Sequence, residues 1–75
     1  MLVYIDEELI ARAHQKASGA QIHNVTKWTC YYSNPDDPAA PLAEKILLAY
    51  VNSDMDIWEA ERQVRKNDPL FPRSV

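Results

Sequence analysis

Apolar residues recur three or four positions apart along the first part of the chain, which is the spacing of one buried face of an α-helix. This stretch includes Leu9 and Ala13, and it follows Asp6, a residue type whose side chain caps helix N-termini. Gly19 stands where the pattern stops, and glycine readily adopts the left-handed conformation that ends a helix. The pattern therefore predicts a helix over residues 7–18.

The next segment, up to Tyr32, fits two periods. Ile22 and Val25 fall at helical spacing with Tyr32, whereas every second residue from Ile22 onward matches the alternation of a half-buried strand. The valine, threonine, tryptophan and tyrosine content of the segment favours a strand. The periodicity allows either a helix over residues 21–31 or a short β element near residues 21–32, and the pattern over residues 20–28 described below favours the helix.

The carboxy-terminal half predicts two more helices. Two closely spaced prolines mark a loop after Tyr32, and a helical pattern then covers residues 39–51. A further helix over residues 55–66 has acidic residues early and basic residues late, which is the order that the helix dipole favours. We expect a mainly α fold, with one small domain of three to four helices over residues 1–68 and an extended apolar tail at residues 69–75.

With 75 residues, the chain has room for one thin core. Domains of this size are often reinforced by disulfides, a metal ion or a second subunit. The single cysteine, Cys30, excludes an intrachain disulfide, and Cys30, His14 and His23 are too few for a structural zinc site. The sequence therefore predicts no metal and no cofactor, and it favours a homodimer or a binding partner.

The amino terminus is apolar and then immediately acidic, so it lacks the basic start and the apolar length of a signal peptide. No stretch approaches the roughly 18 apolar residues of a membrane span. We expect a cytoplasmic protein with no membrane contact, in which a free thiol is ordinary.

Two sets of residues could suggest a functional site, one a catalytic pair and the other a metal site, but both lack the surroundings that such a site needs. Cys30 with His14 or His23 would be a nucleophile and base, but no carboxylate is placed to orient the base. The acidic residues from Asp54 to Glu61 are typical of a helix N-terminus, and they lack the glycine and loop spacing of a calcium site. The sequence indicates a binding protein rather than an enzyme.

Charge is unevenly distributed along the chain, whose formal net charge is −3. Residues 9–35 contain no Asp or Glu, while Arg12, Lys16 and Lys27 lie there with both histidines. A local excess of positive charge attracts the phosphates of nucleic acid. This region is therefore the candidate nucleic-acid contact.

Gly19, Val25 and Trp28 stand at the spacings of the second half of a helix-turn-helix, and this stretch resembles the Cro/CI-type phage repressors. In that family a glycine makes the turn, and two apolar residues pack the recognition helix onto the helix before it. The chain departs from the family where His14 and Gln15 replace an apolar residue and an alanine. The resemblance implies a DNA-reading helix and a small regulator of the phage or mobile-element type.

The resemblance also implies which residues meet duplex DNA, with one face of the helix reading bases and nearby cations holding phosphates. Glutamine and asparagine are the side chains that read adenine bidentately in the major groove. The implied base-reading residues are Gln21, His23, Asn24, Thr26 and Lys27, and the implied phosphate contacts are Arg12, Lys16 and Lys27. The acidic helix near the carboxy terminus would then have to face away from the duplex.

An alternative function follows from the apolar surplus of the chain. Residues 46–51 are apolar all the way round the predicted helix, and two large apolar residues lie in the tail. Apolar surface that a small core leaves uncovered marks an interaction site. The alternative is a protein-binding inhibitor or adaptor that acts on a host protein without DNA contact. Its partner or dimer interface would be formed by Leu47, Leu48, Tyr50, Val51, Leu70 and Phe71.

Overall fold

A computed structural model describes residues 5–67 of the protein, and every regular element in that range is an α-helix. The helices, in chain order, are α1 (Glu7–Lys16), α2 (Gln21–Tyr32), α3 (Ala40–Val51) and α4 (Ile57–Asn67). The prediction of a mainly α domain with three to four helices is confirmed, and the alternative of a β element near residues 21–32 is wrong. The predicted tail, with Leu70 and Phe71, lies outside the described residues.

Two helices begin at aspartate side chains, as their sequences predict. Asp6 Oδ1 accepts hydrogen bonds from the backbone N–H groups of Glu8 at 3.0 Å and Leu9 at 3.4 Å, which starts α1. Asp56 Oδ1 accepts the N–H of Glu59 at 2.8 Å in the first turn of α4. Each carboxylate satisfies N–H groups that have no partner within the helix, and it lies at the positive end of the helix dipole.

A four-residue turn joins α1 to α2. The first helix ends at Lys16, two residues earlier than predicted, because Ala17 takes an extended conformation. Gly19 then adopts a φ of +59°, the left-handed conformation that a residue without a Cβ reaches at little cost. The turn over residues 17–20 therefore separates the two helices and fixes where α2 starts.

Packing explains why α2 is a helix although its composition favours a strand. Its buried residues are Val25, Trp28, Thr29 and Tyr32, and their spacing places all four on one helical face. In a strand, Val25 and Trp28 would point to opposite faces. Because α2 contacts all three other helices, the burial gained on this one face outweighs the local preference for a strand.

The third helix lies at the centre of the fold and contacts each of the other three. Ile46, Leu47 and Tyr50 are completely buried, which explains why α3 lacks a polar face over most of its length. Leu47 and Tyr50 are therefore covered by the domain's own core, which corrects the prediction that they face a partner. Leu48, at 42% exposure, and the half-buried Val51 are the described members of that predicted interface that reach the surface.

Candidate nucleic-acid interface

The outer face of α2 is a polar surface without acidic side chains. His23, Thr26 and Lys27 are exposed there, and the helix contains no Asp or Glu. A shallow groove of about 490 Å³ runs along this face, lined by these three residues together with Gly19 and Ile22. The face combines a cation with hydrogen-bonding side chains, which is a set that can contact phosphates and base edges.

The turn and the inner face of α2 have the features that carry the helix-turn-helix resemblance. Gly19 has the left-handed conformation, Val25 is completely buried and Trp28 is 2% exposed. The contribution of α1 differs from the family pattern, because the buried residues at its end are Ala13 and Ala17. Small side chains next to the positions that the family uses therefore pack α1 against the rest of the domain. The turn of four residues is within the range found in helix-turn-helix units.

His14 and Gln15, the two departures from the family pattern, are exposed on α1. His14 Nε2 lies 3.1 Å from the hydroxyl oxygen of Thr29, whose own Oγ1 donates to the carbonyl of Thr26. This contact links the outer side of α1 to the buried face of α2. At one of the two substituted positions, His14 therefore joins the two helices by a polar contact instead of an apolar one.

Gln21, predicted to read a base, points into the domain instead. Its Oε1 accepts a hydrogen bond from the Tyr50 hydroxyl at 3.1 Å and another from the backbone N–H of Ile57 at 3.2 Å. The side chain thus joins the first turn of α2 to α3 and caps the start of α4. Burial, together with the charge of Asp56, raises the pKa of the Tyr50 hydroxyl above its ordinary value. Gln21 is a structural residue, and the sequence prediction for it is corrected.

Lys16, predicted to hold a phosphate, is occupied within the domain. Its ammonium donates to the backbone carbonyls of Tyr50, Ser53 at 2.6 Å and Met55 at 2.9 Å, and it lies 4.1 Å from the Tyr50 ring centroid. Carbonyls at the end of α3 lack helical partners, so a cation is favourable there. An ammonium that already donates to three carbonyls has no donor left for a phosphate. This assignment is also corrected.

The remaining residues predicted to contact DNA differ in their exposure and in whether they already have a partner within the domain. Asn24 is half-buried, which leaves less of its amide for a base than the sequence suggested. Arg12 is exposed but pairs with Glu8 one turn earlier, with 3.3 Å between Nη2 and Oε1. Exposed pairs of this kind contribute little and exchange readily, so Arg12 can still reach a phosphate. Of the predicted DNA-contact residues, His23, Thr26, Lys27 and Arg12 therefore keep an outward position.

A positive cluster that the sequence did not predict lies between α2 and α4. Lys27 Nζ is 4.9 Å from the centroid of the Trp28 ring, and Arg65 Cζ is 6.0 Å from the same centroid. Arg65 was expected on a helix that faces away from the DNA. The sequence shows the basic end of α4, but only the packing of α4 against α2 brings Arg65 to the ring that Lys27 also contacts.

Within residues 5–67, no three side chains of His, Cys, Asp or Glu lie close enough together to hold a metal ion. No helix in the same range combines the length and the apolar character needed to cross a membrane. Comparison of the chain with protein-family models, curated proteins and solved structures found no match. The candidate interface therefore has to be judged on its own geometry and charge.

Proposed function

We propose that the protein is a small DNA-binding regulator that inserts α2 into the major groove of duplex DNA. The observation that carries this proposal is the acid-free outer face of α2, which follows a tight turn and presents His23, Thr26 and Lys27. A helix fits the major groove, and its first turns are the part that reaches base edges in helix-turn-helix proteins. Thr26 and His23 are the base-contacting candidates, and Lys27 holds the backbone.

The acidic net charge is compatible with this proposal because α2 itself contains no Asp or Glu, so the acidic residues lie on other parts of the chain. Glu8, Glu59 and Glu61 each pair with an arginine on their own helix. The surface of α2 therefore keeps its positive charge although the chain as a whole is negative. Local potential, rather than net charge, governs contact with phosphates.

The test is binding of a randomised duplex pool, followed by fluorescence anisotropy at about 50 and about 200 mM salt. We expect affinity to fall with salt, and Lys27→Gln to weaken binding to all sequences and to reduce the salt slope by about 1. Arg62→Gln is the matched control, since it removes one positive charge from an exposed arginine on a different helix from Lys27. Equal effects of the two variants would place the binding elsewhere, and no salt-sensitive binding by the wild type would contradict the proposal.

A second candidate function, binding to a host protein, has its own supporting observation. Ile22, Leu48 and Trp58 are large apolar side chains that are 48%, 42% and 43% exposed, and Ile22 lines the groove on α2. Ile22→Lys separates the two functions. An added cation on α2 should tighten nonspecific DNA binding, whereas it should abolish docking of an apolar partner on the same face.

A further inference from the structure

Two cations from different helices lie beside one aromatic ring. Lys27 belongs to α2 and Arg65 to α4, and the charged ends of both are within 6.0 Å of the centroid of the Trp28 ring. The ring itself is 2% exposed, so it is a fixed part of the core rather than a mobile surface group. The fold therefore holds the two long cationic side chains at a defined place between α2 and α4.

Both cations have donors available for a ligand. Within the described part of the chain, no carboxylate pairs with Lys27, whose ammonium carries three donors. Arg65 donates from Nε to Glu61 Oε2 at 3.0 Å, and this contact leaves its two terminal amino groups without a hydrogen bond in residues 5–67. A guanidinium with two free amino groups matches the geometry of a phosphate, and an ammonium adds a point charge to it.

The ring that both cations contact carries a buried donor. The indole Nε1 of Trp28 is the one buried side-chain nitrogen or oxygen without a hydrogen-bond partner among residues 5–67. A buried donor without an acceptor costs about 1–3 kcal/mol, and most folds avoid it. Because this nitrogen is buried, an oxygen of a bound group reaches it only if a neighbouring side chain moves aside, so the two cations carry the inference.

We propose that Lys27 and Arg65 form a phosphate clamp beside the Trp28 ring. The inference rests on the proposed function in one respect: the phosphate it assigns is that of a DNA backbone, so that α4 holds the duplex together with α2. The shared ligand chemistry is a phosphate oxyanion, which a free phosphate also supplies. Glu61 opposes the clamp, because its carboxylate neutralises part of the Arg65 charge.

The Glu61 carboxylate allows a test in which some substitutions should lower the affinity for duplex DNA and another should raise it. Arg65→Gln and Lys27→Gln should each weaken duplex binding roughly tenfold at low salt, as expected for the loss of one charge-assisted contact. Glu61→Gln should strengthen binding, because it releases Arg65 without adding a cation. Arg62→Gln is the matched control, since Arg62 makes a similar pair with Glu59 on the same helix and should leave affinity unchanged. Glu59→Gln removes the same negative charge from the Arg62 pair, so a larger gain for Glu61→Gln than for Glu59→Gln is the result that a purely structural role of Arg65 would not produce.

A second measurement reports on the clamp without DNA. Trp58→Phe leaves Trp28 as the only tryptophan, so intrinsic fluorescence then follows the ring of the clamp. We expect inorganic phosphate to change this fluorescence more than chloride at equal ionic strength, and Arg65→Gln to abolish the difference. Circular dichroism of each variant verifies that it is folded.

The combined outcomes separate the clamp from the proposed function. If duplex DNA binds but Arg65→Gln behaves like Arg62→Gln, the clamp is overturned and the DNA-binding proposal stands. If DNA does not bind but phosphate still changes Trp28 fluorescence, the clamp stands as a site for free phosphate and the DNA-binding proposal fails. If neither ligand has an effect, both are overturned.

Discussion

Single side chains in this protein cannot be assigned from their residue type alone. Gln21 and Lys16 are both residue types common in DNA contacts, yet both point their polar ends into the domain. Gln21 satisfies a buried hydroxyl and an N-terminal N–H of a helix, while Lys16 satisfies carbonyls at the end of another. His23 and Lys27, two and six residues after Gln21 on the same helix, stay exposed. Gln21 and Lys16 point inward because the end of another helix lies within reach of each side chain.

We predict that Gln21→Ala lowers the free energy of unfolding by about 1–3 kcal/mol, because it leaves the buried Tyr50 hydroxyl without an acceptor and uncaps α4. Gln15→Ala, an exposed glutamine on α1, is the matched control and should change stability by less than about 0.5 kcal/mol. Urea unfolding followed by circular dichroism measures both. A stable Gln21→Ala variant that binds DNA poorly would instead restore Gln21 to the base-reading set.

At the scale of elements, the turn between α1 and α2 decides where the outer face of α2 points. Gly19 supplies the left-handed residue of that turn, and no atom outside its chain neighbours lies within 4 Å of the position a Cβ would occupy. A side chain at this position would therefore meet open space. The need for glycine comes from the backbone conformation and not from crowding.

Because the backbone conformation and not crowding requires glycine at this position, the effects of two substitutions can be predicted. Gly19→Ala should destabilise the domain by about 1–2 kcal/mol, the cost of a left-handed conformation with a Cβ. Gly19→Asn should lose less, since asparagine adopts this conformation more readily than alanine. Thermal unfolding of the three proteins ranks them, and equal losses for alanine and asparagine would show that the side chain, not the backbone, causes the effect.

At the scale of the whole molecule, tyrosine hydroxyls tie the helices together around α3. Tyr50 donates to Gln21 Oε1, and the Tyr32 hydroxyl accepts the backbone N–H of Asp6 at 2.9 Å. Burial raises the pKa of both hydroxyls above the ordinary value of 10.0, and the nearby carboxylates of Glu44 and Asp56 raise it further. The folded domain therefore favours the neutral, protonated form of both tyrosines.

The stability of the domain should fall as pH rises above about 10. Unfolded tyrosine then loses its proton while folded Tyr32 and Tyr50 retain theirs, so the unfolded state binds fewer protons and unfolding becomes more favourable with increasing pH. Below that pH the contribution is fully present. Tyr50→Phe should lose less stability over the alkaline interval than wild type, and Tyr31→Phe is the control. Urea midpoints at neutral and alkaline pH measure the difference; parallel curves for wild type and Tyr50→Phe would contradict it.

Homodimer formation stays a prediction, resting on the small size of the core and on Leu48 and Val51 at the surface of α3. The burial of Leu47 and Tyr50 removes much of the apolar face on which the sequence argument depended. If a dimer forms through α3, Leu48→Glu should dissociate it without unfolding the chain. Sedimentation of wild type and variant at micromolar concentration is the measurement, and a wild-type monomer would contradict the prediction.

The sequence by itself determined the helices whose ends carry clear local signals. Asp6 and Asp56 cap their helices through contacts a few residues away, and Gly19 supplies the left-handed residue of the turn after the first helix. The buried spacing of Val25 and Trp28 was also readable, but the choice of helix over strand for α2 was not. Both periods fit that segment, and only the surface offered by its three neighbouring helices decided between them.

The tertiary structure alone decided which polar side chains remain available to a partner. Lys16 and Gln21 are bound by groups more than 25 residues later in the chain, and Arg65 from the last helix contacts the Trp28 ring that Lys27 also contacts. No local pattern encodes contacts at such separations, because they depend on how α3 and α4 pack against the first two helices. Sequence periodicity determines which face of a helix is buried. The partner that the polar end of a long side chain contacts depends on which groups the fold brings close to it.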